Sequence, residues 1–429
     1  MNRKLWDSLL SLYGIYAFNY IVPLLTLPYL TRVLGPSEWG AVAFTEGYSN
    51  YIILLVEFGF GLSATREIAR VRDNPDARSK QLAGVLGGQI VLSVVAILTI
   101  VVIVLSAPAN TIPVNLIPSA LLLAVGQAMS PMWYFQGIEK VRLMAIVNVV
   151  ARLVGAAGIF LVVHSPADAS ASIAVRAVTI WAATIIGFVG AYRDTPYRAP
   201  NVRDTMRALR EGRSLFLYRS AVSLYTTANV LILGLLCPAT VVAYYAGAER
   251  ISKWAVVGLQ PITQAFYPRI NHLLANQHEK ANQTIKISMY ITVGLGLLAT
   301  ATLFALAPTL VALVLGNEFH RAVPVLRLLA LLPLLIAISI VFGVQWMLPL
   351  RMDKQYNTIL IGAGVLNVAL AVLLAPRLGE MAMALSVVAA EATVAAGVVW
   401  CVIRSGQSPW TRSKQDVRLN TEIAAPDAA

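Results

Sequence analysis

Seven stretches of this chain carry no Asp, Glu, Lys, Arg or His over twenty or more residues: 8–31, 82–106, 107–138, 220–248, 287–315, 328–350 and 356–375. At 1.5 Å rise per residue, about 20 helical residues cross a hydrocarbon core. Each stretch is therefore long enough to span a bilayer, and only a closed helical bundle satisfies so much backbone in lipid. Composition points the same way, with 58% hydrophobic residues, 13% charged and a mean hydropathy of +0.71. A soluble chain carries charge on about a quarter of its residues. The basic start, Arg3 and Lys4, precedes an apolar run too long for a signal peptide, which reads as an uncleaved first span.

Breaks in the charge-poor runs place twelve spans. Six lie near 8–31, 39–62, 82–106, 113–136, 143–163 and 168–192, and six near 214–236, 240–266, 285–307, 322–349, 356–375 and 381–403. With the N-terminus inside, 24 of the 33 Lys and Arg fall in inner connections and three, Arg32, Arg321 and Arg377, in outer ones. That asymmetry is the positive-inside signature and puts both termini in the cytoplasm. The net charge of +12 is therefore mainly a topology signal, with some attraction to anionic membrane lipids. It needs no nucleic acid as partner.

The longest polar connection, 193–213, divides the chain into an N-terminal six-helix lobe (1–192) and a C-terminal one (214–404), followed by a polar tail (405–429) expected to be flexible. A faint echo links the halves: Leu12-Tyr13, Gly35-Pro36 and Glu46 recur as Leu217-Tyr218, Cys237-Pro238 and Glu249 at nearly equal offsets. Duplicated halves around a central site are a common transporter plan.

Ten ionisable side chains remain inside spans: Arg152, Arg176, Arg219, Arg250, Lys253, Arg327, Glu46, Glu57, Glu249 and Glu391. Each costs about 2.5–3.5 kcal/mol at a helix centre on insertion scales, so each must face protein or water. Glu57, Arg219 and Arg327 sit near span ends, where snorkelling is one explanation and a site role another. Arg152, Glu249, Arg250, Lys253 and Glu391 lie deeper. Glu249 and Lys253 are four apart and able to pair on one helix face. Structural pairing would account for this group, and so would a water-filled cationic cavity, in which the planar donor fork of Arg suits phosphate. Glu46, Glu249 and Glu391 are candidates for ion coupling or for charge balance.

Aromatics crowd the first two spans. Trp39 and Tyr29 fit an interfacial belt, whereas Tyr16, Tyr20 and Tyr48 lie deeper and are candidates for stacking on sugars. Pro23, Pro28, Pro118, Pro131, Pro261 and Pro333 fall inside spans and break helical hydrogen bonding there.

Catalytic and metal chemistry find no support. Cys237 and Cys401 are the only cysteines, and His164, His272, His278 and His320 are scattered without ligand spacing. No phosphate-binding Gly-Lys loop or soluble domain signals a cofactor. The outer connections hold few acids, so an enzyme such as a membrane-bound polymerase or ligase is the weaker class.

Three strings occur in order: Leu27-Pro28-Tyr29-Leu30-Thr31-Arg32-Val33-Leu34-Gly35-Pro36 with Trp39-Gly40, then Glu57-Phe58-Gly59-Phe60-Gly61 with Thr65-Arg66-Glu67, then Trp133-Tyr134-Phe135-Gln136-Gly137-Ile138-Glu139-Lys140. With Tyr244-Tyr245-Ala246-Gly247-Ala248-Glu249-Arg250 and Ala265-Phe266-Tyr267-Pro268-Arg269, they run across most of the chain. In this the sequence resembles the Wzx-type polysaccharide flippases, of the superfamily that includes MATE exporters and lipid II flippases. The resemblance implies an all-α, MATE-like fold of two six-helix lobes in the bacterial inner membrane. It implies translocation of an undecaprenyl-diphosphate-linked oligosaccharide for O-antigen, capsule or exopolysaccharide, alongside other polysaccharide assembly proteins. It also implies a cavity lined chiefly by spans 1, 2, 7 and 8, which raises Arg219, Arg250 and Lys253 above Arg152 and Arg176 as substrate contacts. A lipid II flippase and a multidrug antiporter are the alternatives within that superfamily.

Overall fold

The computed structural model describes residues 3–106 and 113–406, with side chains except at 3–21, 218, 221–222, 224–226, 275–276 and 278. The tail beyond residue 406 and the side chains of Tyr16 and Tyr20 thus lie outside the described residues. Sixteen helices follow one another: α1 (Arg3–Glu57), α2 (Phe60–Arg70), α3 (Pro75–Ser106), α4 (Ile117–Ala128), α5 (Met132–Gly137), α6 (Val141–Val162), α7 (Ala169–Arg193), α8 (Val202–Thr226), α9 (Ala228–Leu236), α10 (Ala239–Val257), α11 (Gln260–Asn276), α12 (His278–Val314), α13 (Ala322–Leu329), α14 (Leu332–Ser339), α15 (Asp353–Leu378) and α16 (Glu380–Arg404). A π-helical segment, Ile340–Met347, continues α14. There is no strand among the described residues.

Eight of the described helical stretches, from Pro75–Ser106 to Glu380–Arg404, are long and apolar enough to cross a membrane. Their outer faces are bare hydrocarbon: Leu98 is 59% exposed, Leu161 75% and Leu373 70%. So much exposed apolar surface would drive aggregation in water. In lipid it is the ordinary surface, and the chain is a multi-pass membrane protein. Helix α10 is not among these stretches, and it carries Glu249, Arg250 and Lys253 within nineteen residues.

Two backbone features shape the bundle. Helix α1 is broken at Gly35, whose φ of 67° and ψ of 175° leave the helical region, a conformation open to glycine at little cost. Two rods therefore meet at this point, and the Pro36 that follows suits the first turn of the second. Prolines set most other breaks. Pro118, Pro261 and Pro333 stand in the first turns of α4, α11 and α14, and Pro131 precedes α5, where a missing N–H costs nothing. Of these six prolines, Pro23 and Pro28 lie in a helix interior.

The polar stretch 193–213 is only partly a connection. From Val202 it is helical, and α8 packs along α3 through ion pairs and hydrogen bonds, with Lys80 Nζ 3.8 Å from Asp204 and Gln81 donating to Glu211 at 3.2 Å. Asn201 caps this helix by accepting from the Asp204 amide at 2.9 Å. Asn201→Ala is expected to cost about 1 kcal/mol, read as a small fall in the thermal unfolding midpoint with membrane insertion unchanged.

The main core joins the two halves of the chain. Its buried members include Leu34, Trp39 and Phe44 of α1, Ala243 and Tyr245 of α10, and Leu315 and Phe319 just after α12. The contact is tightest at Gly40, where an added Cβ would collide with the carbonyl of Ala239 at the start of α10. Around it the rings of Trp39 and Tyr244 both meet Phe319 edge-on, at 5.9 and 6.0 Å. Arg321 lies over Tyr244 and pairs with Glu380 at 2.9 Å. One end of the α1–α10 seam is thereby sealed.

Candidate functional site

Behind this seal lies a cavity of about 860 Å³, lined from α1, α4, α6, α7, α10 and the start of α11. Its volume falls in the range of small-molecule sites, roughly 300–1,000 Å³. Five charged side chains line it: Glu46, Arg152, Arg176, Arg250 and Lys253. Four cations thus face one carboxylate.

The geometry centres on Glu46, in the second rod of α1. Arg176 of α7 donates to one of its carboxylate oxygens and Arg250 of α10 to the other. Three helices, two from the first half of the chain and one from the second, meet at this carboxylate. The Arg250 guanidinium also lies over the Trp39 ring, 5.2 Å from its centre, a cation–π contact that holds its plane. Lys253, one turn along α10, pairs with Glu249 at 3.1 Å. Glu249 is buried and also accepts from the Tyr245 hydroxyl at 3.1 Å. The i,i+4 pair anticipated on this helix is present, and it leaves Arg250 on a different face, turned to α1. Arg152 reaches the cavity from α6.

Five expected residues therefore come together, Glu46, Arg152, Arg176, Arg250 and Lys253; Glu249, engaged by Lys253 and Tyr245, is not in the lining, and neither are three others. Arg219 donates to Glu57 at 2.5 Å, beside Phe58 stacked on Phe216 at 4.5 Å, and does not line the cavity. Residue 219 thus faces Glu57, the last residue of α1, rather than the middle of that helix. Tyr48 is buried edge-on against Phe44, 5.8 Å between centres, which puts its ring in the core and not on a sugar-facing wall. Glu391, on α16, is absent from the lining and forms no hydrogen bond or ion pair with the described residues.

Two residues take on roles that their sequence positions do not suggest. Arg176, in the sixth span, shares Glu46 with Arg250. Trp39 is not at an interfacial belt: it is 1% exposed, beneath Arg250. Tyr29, the other belt candidate, donates to the Val163 carbonyl at 2.6 Å and packs on Phe160. Uncharged polar residues on the wall, Gln127, Asn148 and Thr179 among them, carry no sequence signal, since single amides and hydroxyls within apolar helices follow no spacing rule. Arrayed around cationic groups, they supply donors and acceptors of the kind that hold hydroxyl-rich ligands.

The family profile described as "Polysaccharide biosynthesis protein" matches residues 5–274. A protein of Escherichia coli (strain K12) named "Putative O-antigen transporter" is 33% identical over 384 residues, covering 88% of this chain and 91% of that one. A protein of Shigella dysenteriae bearing the same name is 28% identical, covering 90% of this chain and 97% of that one. Among solved structures, the lipid II flippase MurJ in an inward closed conformation aligns with a TM-score of 0.67 at 12% identity, covering 97% of this chain and 94% of that one. An inward-facing multidrug resistance MATE family transporter of the MOP superfamily aligns with a TM-score of 0.60 at 16% identity, covering 92% and 96%. These two likenesses establish a shared helical fold.

Proposed function

This chain belongs to the polysaccharide biosynthesis protein family, and from that premise we propose that, as a Wzx-type member of the MATE/MOP superfamily, it flips a lipid-linked oligosaccharide across the bacterial inner membrane. The cargo on this reading is an undecaprenyl-diphosphate-linked repeat unit destined for O-antigen or a related surface polymer. The observation that carries it is the cavity charge, four cations around one carboxylate inside the helical bundle. Arg250 and Arg176, with Arg152 and Lys253, attract the diphosphate. The polar wall accommodates sugars while the lipid tail stays in the bilayer.

Twelve spans, termini in the cytoplasm and two six-helix lobes at 1–192 and 214–404 belong to the same reading. The break at Gly35 supports it by dividing α1 into two rods, and α8 with α9 and α10 would complete the second set. Transport then proceeds by rocking of the lobes about the α1–α10 seam, with alternate ends of the cavity opening. A multidrug antiporter for organic cations would favour an acidic cavity, which is the reverse of the charge here.

The test is a deletion strain carrying an intact polymerase. Surface polymer should disappear while complete lipid-linked repeat units accumulate and stay shielded from a glycosidase added to spheroplasts. Units that become accessible from outside in the deletion strain would place the block after translocation and overturn the assignment.

A further inference from the structure

We infer that Glu46 is an internal stand-in for the cargo's diphosphate, so that carboxylate and substrate compete for Arg176 and Arg250. The inference rests on the proposed reading of the cavity as a diphosphate site. It adds how that site is kept when empty and how it lets its cargo go.

Both oxygens of Glu46 are occupied, one by each arginine. Each guanidinium donates through one nitrogen, and arginines gathered on the separate oxygens of one anion are also how phosphate is held. No other carboxylate lines this cavity among the described residues. Glu249 is engaged by Lys253 and Tyr245, and Glu57 by Arg219. Without Glu46, two guanidiniums from different helices would face each other across the cavity with no carboxylate between them, an arrangement that like-charge repulsion makes unfavourable. The carboxylate removes that cost and holds α7 and α10 against α1 in the geometry the cargo needs.

An arriving diphosphate offers more charge and more acceptor oxygens than one carboxylate, and displaces it. Arg250 remains seated on Trp39, so its plane is set whichever anion it holds. The same competition aids release, because Glu46 returns as the diphosphate leaves. The cost is affinity: part of the binding free energy goes into breaking two existing ion pairs.

Removing the competitor should therefore tighten binding, the opposite of what deleting a substrate-contacting group does. The probe is inorganic pyrophosphate, titrated calorimetrically into purified full-length protein in nanodiscs. Glu46→Gln is expected to bind it about tenfold more tightly than wild type, a gain of about 1.4 kcal/mol. Pyrophosphate should also raise its unfolding midpoint more than that of wild type. Glu46→Asp, one methylene shorter and unable to bridge both arginines, guards against a folding failure and should bind about threefold more tightly, roughly 0.7 kcal/mol. Wild-type or weaker binding by both folded variants overturns the inference. If Arg250→Gln loses binding while neither Glu46 variant gains, the competition fails and the diphosphate site stands. If Arg250→Gln binds as wild type does, the diphosphate reading itself falls.

Discussion

Arg250→Glu is expected to abolish surface polymer while the protein is made and inserted at its normal level. The substitution removes the guanidinium that joins α10 to Glu46 and places two carboxylates where one was bridged, leaving Arg176 as the counter-charge between them. Losing the protein's side of a hydrogen-bonded charge pair with the cargo costs about 2–5 kcal/mol, roughly 30- to 5,000-fold in substrate binding. Repulsion of the cargo's phosphates by the new carboxylate adds to that. Adding Lys253→Glu should leave nothing measurable. Arg250→Lys retains charge but not the planar fork or its seat on Trp39, so partial polymer is expected. The check is complementation of a deletion strain with polymer scored on the surface and protein by immunoblot. Full polymer from the Arg250→Glu protein would remove this residue from the cargo's path.

The second large effect lies at the seam, away from any charge. Gly40→Val is expected to destabilise the protein by about 1–3 kcal/mol or more and to disable transport, because the added carbons meet the Ala239 backbone, which cannot rotate aside as a side chain does. Relief requires α1 and α10 to separate, and that would unseat Trp39 and Tyr244 from Phe319. Thermal unfolding of the purified variant, together with thiol labelling of a cysteine introduced at Ser37, reads both consequences. An unchanged midpoint with unchanged labelling would show that the seam tolerates the strain.

The two predictions draw on different layers of information. Arg250 and Lys253 stand out from the sequence alone, since an ionised group within an apolar helix is costly wherever the chain folds, and cost marks use. Glu249 and Lys253 are legible as a pair because a spacing of four is a local property of a helix. Arg176 is legible as an intramembrane charge, but its pairing, like the placement of Trp39, escapes a sequence reading for the converse reason. Their roles depend on Glu46 and Arg250, which lie 130 and 211 positions away in the chain, and no periodicity connects such distances. Arg219 is raised by the resemblance alone, and only the fold shows it paired with Glu57 and outside the cavity lining. The polar stretch before it has the composition of a linker, yet half of it is helix docked on α3.

Uncharged runs, their lengths and the excess of intramembrane cations are thus determined by the sequence alone, because transfer of charge and backbone into lipid carries its free-energy cost residue by residue. The resemblance carried by its ordered strings adds the fold class. Only the tertiary structure decides which charges share a cavity, that the second rod of α1 brings a carboxylate between Arg176 and Arg250, and that an aromatic suited to the membrane surface lies beneath a guanidinium. Those outcomes depend on where helices cross and which faces they turn to each other. A break at Gly35 and a bare α-carbon at Gly40 set that crossing, through packing between segments far apart in the chain.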